Sequence, residues 1–343
     1  MSKSTPAGPT LSILDQSTAI ERRSPDESIR ETLALAQLCE TLGYRRFWVS
    51  EHHNHPSIVG SAPEILVAAI AATTKRIRVG SAGVMLPHYA ALKVAEQFRV
   101  LEALAPGRID LGVGRAPGGD FRTALALNPN AANAADDFPA QLRDLLAWVG
   151  GAALPADHPF RDVQAYPLGP SAPEPWVLGS SMYGAQVAAH FGLPYCFAYF
   201  FTDGQGCAPA MAYYHQHYRP SPAFPKPQAG ICLWVLAAPT EEEAQHHYSS
   251  RVTWRTARDR NLLGPLPAPG APLPFATTEQ EQAKMARMRA DRLIGTPDRV
   301  KARILELADE MKADEVALVT WAHDPEARRQ SYRLIAQEFG LTS

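Results

Sequence analysis

The stretch that decides the fold is RFWVSEHHNHPSIVGSAPEILVAAIAATTKRIRVGSAGVML, residues 46–86. It begins with an aromatic and β-branched run, Arg46–Ser50, and it ends with a second strand-like run, Ile77–Leu86. Between them, Ser61-Ala62-Pro63-Glu64 has the pattern of a helix start, with a capping box and an early proline. The stretch therefore predicts a strand–helix–strand unit, the building block of parallel α/β proteins.

The same alternation extends in both directions. Upstream, a capping box at Ser24-Pro25-Asp26-Glu27 opens a helix after the first apolar run. The predicted strands are Leu11–Asp15, Arg46–Ser50, Ile77–Leu86, Ile109–Gly114, Trp176–Gly179, Tyr195–Phe200, Ile231–Ala237 and Val316–Thr320. Most of these eight strands are followed by a helix, which predicts an α/β fold and favours closure into a (β/α)8 TIM barrel. An open, doubly wound sheet has the same periodicity and remains the alternative.

Two stretches interrupt the alternation, after strands 4 and 7. Residues from about 116 to 175 include six prolines between 155 and 175, and residues from about 256 to 292 include PLPAPGAPLP at 265–274. Strand-like segments flank both stretches, so we interpret them as insertions on a single barrel domain spanning 1–343. The second insertion is long enough to form a lid over the barrel mouth.

Charge and cysteine content exclude several functional classes. The chain has 33 Lys and Arg against 35 Asp and Glu, and a net charge of −2 offers no field for nucleic acid or an anionic membrane. The four cysteines form no CxxC pair, which is typical of free thiols in a reducing compartment. The N-terminus has no apolar signal-like segment and no apolar run reaches 18 residues, so we expect a soluble cytoplasmic protein.

Residues at the carboxyl ends of the strands are the candidates for chemistry, because barrel active sites form there. Strand 2 ends in EHHNH at 51–55, and imidazoles serve both proton transfer and metal binding. The small residues Gly80–Gly83 indicate close approach of a flat ligand or of another backbone. Arg115 follows strand 4 as a candidate anion contact. Ser180 and Ser181 precede a helix, where they either bind a phosphate or cap the helix.

These segments, taken in order, resemble the bacterial luciferase-like family of flavin-dependent monooxygenases, in particular its single-chain branch similar to the luciferase alpha subunit. The matching motifs are FWVSEHHN (47–54), RIRVGSAGVMLPHYA (76–90), AEQFRVLEALAPGRIDLGVGRAPG (95–118), WVLGSSMYGAQVAAHFGLP (176–194) and IGTPDRVKARI (294–304).

The resemblance implies a (β/α)8 barrel that takes reduced FMN from a separate flavin reductase and uses O2 to oxygenate a small apolar organic substrate, such as an aldehyde. It also implies a homodimer. A related branch uses the deazaflavin F420 for hydride transfer without oxygen, and the sequence leaves that alternative open.

Applied to this sequence, the resemblance makes His52 the catalytic residue and places the Ala82–Gly83 peptide against the flavin ring. It assigns the cofactor's phosphate to four residues: Arg115, Ser180, Ser181 and Tyr183. Two positions depart from the light-emitting enzymes: Gly114 replaces a reactive cysteine, and Ser180 replaces a glutamate. Flavin use is therefore expected, and light emission is not.

Two further functional classes remain open. His53 and His55 form an H-x-H pair that could hold zinc in a barrel hydrolase, although later strands supply few further ligands. A flavin-binding protein without catalytic activity is the other alternative, since His52 alone does not exclude it.

Overall fold

In the computed structural model, which describes residues 8–116 and 119–342, eight parallel strands close into a barrel. Their order around the barrel is β1-β10-β7-β6-β5-β4-β3-β2. The barrel strands are β1 (Thr10–Asp15), β2 (Arg46–Val49), β3 (Arg78–Met85), β4 (Ile109–Gly114), β5 (Glu174–Gly179), β6 (Tyr195–Phe197), β7 (Ala229–Trp234) and β10 (Glu315–Val319), and the short strands β8 (Leu236–Ala237) and β9 (Ile294–Gly295) pair outside it. The predicted (β/α)8 barrel is confirmed, and the open-sheet alternative is wrong.

Helices surround the barrel. Those in the described residues are α1 (Pro25–Thr41), α2 (Pro63–Thr73), α3 (Ala91–Leu104), α4 (Phe121–Leu127), α5 (Ala131–Ala134), α6 (Phe138–Gly150), α7 (Met182–Phe191), α8 (Tyr199–Thr202), α9 (Cys207–His217), α10 (Glu241–Arg258), α11 (Glu279–Arg289), α12 (Pro297–Met311) and α13 (Pro325–Phe339), with a 3₁₀ turn at Leu86–His88. No helix among the described residues is both long enough and apolar enough to cross a membrane.

One of the two predicted capping boxes forms. At α1, the Ser24 hydroxyl accepts from the Glu27 N–H while the Glu27 carboxylate accepts from the Ser24 N–H. At α2, the N-cap is Ala62 and it has no side-chain cap hydrogen bond, so the predicted box is wrong. Pro63 at the first helical position starts α2 one residue later than the box requires.

Both insertions contain helices. In the first, α6 packs against α3, so it serves as the outer helix that follows β4. Residues 117 and 118, near the start of this insertion, lie outside the described residues. In the second, Leu266 is fully buried and bridges to Ile20 in the loop after β1, whereas α11 buries none of its side chains. Helix α11 ends at Arg289, three residues before the end of this insertion.

Two predicted strands differ from the structure. Strand β6 is limited to Tyr195–Phe197, because the chain turns into the short helix α8 at Tyr199. The predicted strand Ile231–Ala237 is interrupted at Val235, and its last two residues pair with β9, which the sequence did not predict. Because β6 ends early, Phe200 lies on α8 rather than on a barrel strand.

A charged cluster fills the amino-terminal half of the barrel. The Arg46 guanidinium lies 2.8 Å from the Asp110 carboxylate and 2.9 Å from that of Glu174. The Trp48 indole N–H donates to Asp110 at 2.8 Å, and the Trp48 and Trp176 rings meet edge to face at 5.1 Å. Because this half is filled by fixed side chains, the open space of the barrel lies above Trp48, at the carboxyl ends of the strands.

Candidate active site

A cavity lies at the carboxyl ends of the strands. Its walls are mainly apolar and aromatic: they include Leu14, Trp48, Ile58, Ala82, Leu178, Phe200, Trp254 and Trp321. Its polar lining is Gln16, Ser50, His52, His55, Arg251, Arg255 and Arg258. An apolar chamber with a few polar groups is the usual form of a small-molecule site.

Of the predicted site residues, His52 and Ala82 lie in this cavity. The His52 backbone N–H donates to the Gly60 carbonyl at 3.0 Å, and its Nδ1 lies 3.2 Å from the Ser50 hydroxyl. Burial, helped by the neighbouring histidines, lowers the pKa of His52 to about 4. The ring is therefore neutral at pH 7, and Nε2 is the nitrogen left to exchange a proton with a ligand.

Glu51 fixes the position of the histidine segment. Its buried carboxylate accepts from the Met85 N–H at 3.0 Å and from the Tyr89 hydroxyl at 2.7 Å, and it lies 2.6 Å from His53 Nε2. These bonds tie the end of β2 to the end of β3, so they fix His52 relative to Ala82. Sequence reasoning did not assign this role, although a carboxylate directly after a buried strand was the available signal.

The histidines do not converge on a metal site. His53 is bound to Glu51, and its ring lies beside His88 at 5.9 Å, whereas His55 lies beside His52 at 5.7 Å. Within residues 8–116 and 119–342, no three His, Cys, Asp or Glu side chains are grouped to hold a metal ion. The zinc-hydrolase alternative thus finds no ligand set in this part of the chain.

The small residues of β3 have two different roles: some allow close packing against β4, and one lines the cavity. The Ala82–Gly83 peptide bond is cis, and Ala82 lines the cavity. A Cβ on Gly83 would lie 2.8 Å from the Gly112 carbonyl oxygen, and one on Gly80 would lie 2.5 Å from the Asp110 Cβ. Close packing of β3 against β4 therefore explains Gly80 and Gly83, which leaves Ala82 as the residue that presents a small surface to the cavity.

Arg115 and the start of α7 form a second group, outside the lining of the cavity. The Arg115 guanidinium lies over the Tyr183 ring at 4.0 Å, and Tyr183 is in the first turn of α7. Ser181 is the N-cap, but its side chain makes no cap hydrogen bond; Ser180 lies beside it, half-buried. The first-turn N–H groups of α7 and an arginine without an ion pair among the described residues suit a phosphate.

Three arginines that sequence reasoning missed line the same cavity as His52. Arg251, Arg255 and Arg258 lie on α10, at spacings of four and three residues, which places them on one helix face. The signal in RVTWRTAR (251–258) was this spacing, interrupted by an aromatic residue.

A family model for luciferase-like monooxygenases matches residues 10–314. The chain belongs to the luciferase-like monooxygenase family. A luciferase-like monooxygenase of Escherichia coli K12 is 36% identical over 324 residues, covering 94% of this chain and 95% of that protein. The N-acetyl-S-alkylcysteine monooxygenase of Bacillus subtilis is 35% identical over 331 residues, covering 95% of this chain and 97% of that protein. Among solved structures, apo-MsnO8 matches with a TM-score of 0.85 and 35% identity, covering 98% of this chain and 99% of that one.

More distant members of this fold use different cofactors. The oxygenating constituent of 3,6-diketocamphane monooxygenase from Pseudomonas putida, solved in complex with FMN, has a TM-score of 0.70 at 18% identity over 97% of this chain and 98% of that one. An F420-dependent secondary alcohol dehydrogenase has a TM-score of 0.61 at 13% identity over 97% of this chain and 99% of that one. At these identities the likeness is one of fold alone.

Proposed function

We propose that this family member is a monooxygenase that uses reduced FMN and O2 to oxygenate a small organic substrate with an apolar portion. The observation that carries the proposal is the pairing of an apolar cavity containing a neutral His52 with the phosphate-type donors at Arg115 and α7. When bound, reduced FMN supplies two electrons, so that one oxygen atom of O2 enters the substrate and the other leaves as water.

The residues present fit such a cofactor. Arg115, Ser180, Ser181 and Tyr183 would hold its phosphate, and the Ala82–Gly83 backbone would support its ring. The N-cap hydroxyl of Ser181 and the first-turn N–H groups of α7 have no helical partner, so they are available as donors.

The protein itself would keep water out of the cavity and would supply one side chain that transfers a proton. Aromatic side chains, including Trp48, Trp254 and Trp321, line the cavity, so a bound cofactor and substrate would displace water from its apolar walls. His52 Nε2 would accept a proton and later return it, while Ser50 holds Nδ1. This role requires the neutral tautomer in which Nδ1–H donates to the Ser50 hydroxyl, because only then does Nε2 carry the free lone pair.

The substrate's apolar portion would lie against Phe200, Trp254 and Trp321. One relative is named for N-acetyl-S-alkylcysteines, which combine an alkyl chain with a carboxylate, and compounds of this kind are the first to assay. Reduced FMN would come from a separate flavin reductase. The four free, buried cysteines support a reducing compartment such as the cytoplasm.

Assembly as a homodimer is part of the proposal. The helices α2 and α3 pack side by side, and they expose Ile65, Val100 and Leu104. Large apolar side chains exposed on adjacent helices are typical of an interface.

A reductase-coupled assay tests the proposed function. We expect substrate-dependent O2 consumption, with incorporation of one ¹⁸O atom from ¹⁸O2 into the product, and we expect His52→Gln to slow turnover while leaving the affinity for reduced FMN within about threefold. Unchanged turnover in His52→Gln would remove this residue from catalysis. Binding of FMN with no O2 consumption beyond that of the reductase alone would identify the non-catalytic flavoprotein instead.

A further inference from the structure

The arginine face of α10 is a cationic wall between two cavities. Arg251 and Arg255 are each 6% exposed, and both line the His52 cavity and a second, neighbouring cavity. Arg258, about one turn further along α10, lines the His52 cavity but not the second cavity. Buried arginines are normally paired with carboxylates, because an unpaired charge is expensive to remove from water.

The available carboxylates do not neutralise this wall. Asp203 lies 2.9 Å from Arg255, but its side chain is 60% exposed. Asp259 lies 2.6 Å from Lys284, 3.4 Å from Arg258 and 3.9 Å from Arg255, so its charge is shared among three cations. The second cavity adds Arg287 and Asp291, one charge of each sign, which leaves a local excess of positive charge.

Among the described residues, no carboxylate lies within ion-pair distance of Arg251. Its guanidinium lies over Trp234 at 4.4 Å and over Trp321 at 5.7 Å, and it makes no hydrogen bond or ion pair with any residue in 8–116 or 119–342. Two further donors beside it, the Arg255 Nε–H and the Trp234 indole N–H, are buried without a hydrogen-bond partner in the described structure. Burial lowers the pKa of Arg251 to about 10, so the group is still protonated at pH 7. A cluster of unsatisfied donors with excess positive charge matches an acceptor that carries negative charge.

This wall is separate from the group proposed to hold the cofactor's phosphate. Arg115 follows β4, whereas Arg251 lies on the helix after β8, and β7 is three strands from β4 around the barrel. The two cationic groups therefore approach the barrel mouth from different sides, and only the arginines of α10 line the cavity together with His52.

We propose that the substrate carries a carboxylate, bound by Arg251 together with Arg255 and Arg258, while its uncharged portion lies between the aromatic walls and His52. This inference rests on the proposed function, and it replaces a wholly apolar substrate, such as a simple aldehyde, with an amphipathic acid. An arginine provides two parallel N–H donors for one carboxylate, which fixes the orientation of the substrate as well as binding it.

Binding without turnover tests this inference separately from catalysis. The probes are N-acetyl-S-benzylcysteine, 4-phenylbutanoate and octanoate, each compared with its methyl ester by isothermal titration calorimetry on the flavin-free protein. We expect at least one acid to bind at least tenfold more tightly than its ester. We expect that preference to fall below about twofold in Arg251→Gln and to be unchanged in Arg333→Gln, where the arginine is on the surface of α13 and paired with Glu326. A wild-type protein that binds none of the acids, or binds each acid no better than its ester, would overturn the proposal.

Further measurements separate the remaining outcomes. If Arg251→Gln does not fold, as judged by circular dichroism, then Arg258→Gln is used; this half-buried residue is expected to reduce acid affinity at least threefold, and an unchanged affinity would count against the site. Reduced FMN is also titrated into whichever variant is folded, and its affinity should be within about threefold of that for wild type. A large loss of FMN affinity, with acid binding unchanged, would assign the arginines to the cofactor and overturn the substrate site. Absence of O2 consumption would refute the proposed function and leave the calorimetric result standing.

Discussion

The depressed pKa of His52 predicts how the protein responds to acid. Burial is the main cause, and the neighbouring histidines add to it, so the pKa moves from an unfolded value near 6.5 to about 4. At about 1.4 kcal/mol for each pH unit, protonating this ring in the folded protein costs about 3 kcal/mol more than in the unfolded chain.

The free energy of unfolding falls with decreasing pH, because the two states bind the His52 proton at different pH values. As the pH falls, His52 binds its proton in the unfolded chain before it does so in the folded protein. Proton binding therefore stabilises the unfolded state, beginning below pH 6.5 and reaching its full extent below about pH 4. By pH 5, His52 alone should remove about 2 kcal/mol from the free energy of unfolding. Because the folded ring stays neutral in this range, catalysis that needs a neutral His52 should persist to about pH 5.

Two measurements check this prediction. In NMR titrations of ring-labelled histidines, the signal missing from the His52→Gln spectrum should titrate near pH 4. Denaturant unfolding at pH 7.5 and pH 5 should show wild type losing about 2 kcal/mol more than His52→Gln. His55→Ala should raise the pKa of His52 only part of the way, since burial is the larger cause. A His52 signal that titrates between pH 6 and 7, or equal losses in the two proteins, would refute the reasoning.

Three other predictions concern the cofactor, the barrel and the assembly. Arg115→Gln should weaken reduced-FMN binding by about 10- to 100-fold in anaerobic titrations, since charge-assisted hydrogen bonds contribute about 1.5–3 kcal/mol, and an affinity within twofold of wild type would exclude this contact. Gly112→Ala should lower the unfolding free energy by about 1–3 kcal/mol, because its Cβ would overlap the backbone of β3, whereas Gly150→Ala, with open space around the new methyl, should be neutral or stabilising; equal effects would contradict the packing account. Leu104→Asp should convert a dimer to a monomer in light scattering, and a wild type that is already monomeric would contradict the proposed interface.

The barrel could be predicted because each strand–helix unit has a local signature. Apolar runs mark the strands, and Pro25 and Pro63 mark helix starts whatever the tertiary context. The failures occur where the tertiary structure overrides that signature: Tyr199 and Phe200 have strand-type side chains, yet they begin a helix at the cavity wall.

The site was predictable only in part, for a related reason. A histidine after a buried strand faces the barrel mouth by topology, so His52 could be placed. The arginines of α10 could not, because arginines on a helix usually face solvent, and only the packing of Trp234 and Trp321 against Arg251 shows that this face is buried. Their spacing in the sequence is that of one helix face, but only the structure shows that this face is buried.

The most direct test of flavin-dependent oxygenation is an anaerobic titration of the protein with reduced FMN and, separately, with reduced F420, followed by admission of O2 in the presence of substrate. The account predicts saturable binding of reduced FMN, consumption of O2, and one ¹⁸O atom in the product when ¹⁸O2 is used. Binding of reduced F420 in preference to FMN, with reduction of the substrate and no O2 consumed, would contradict it.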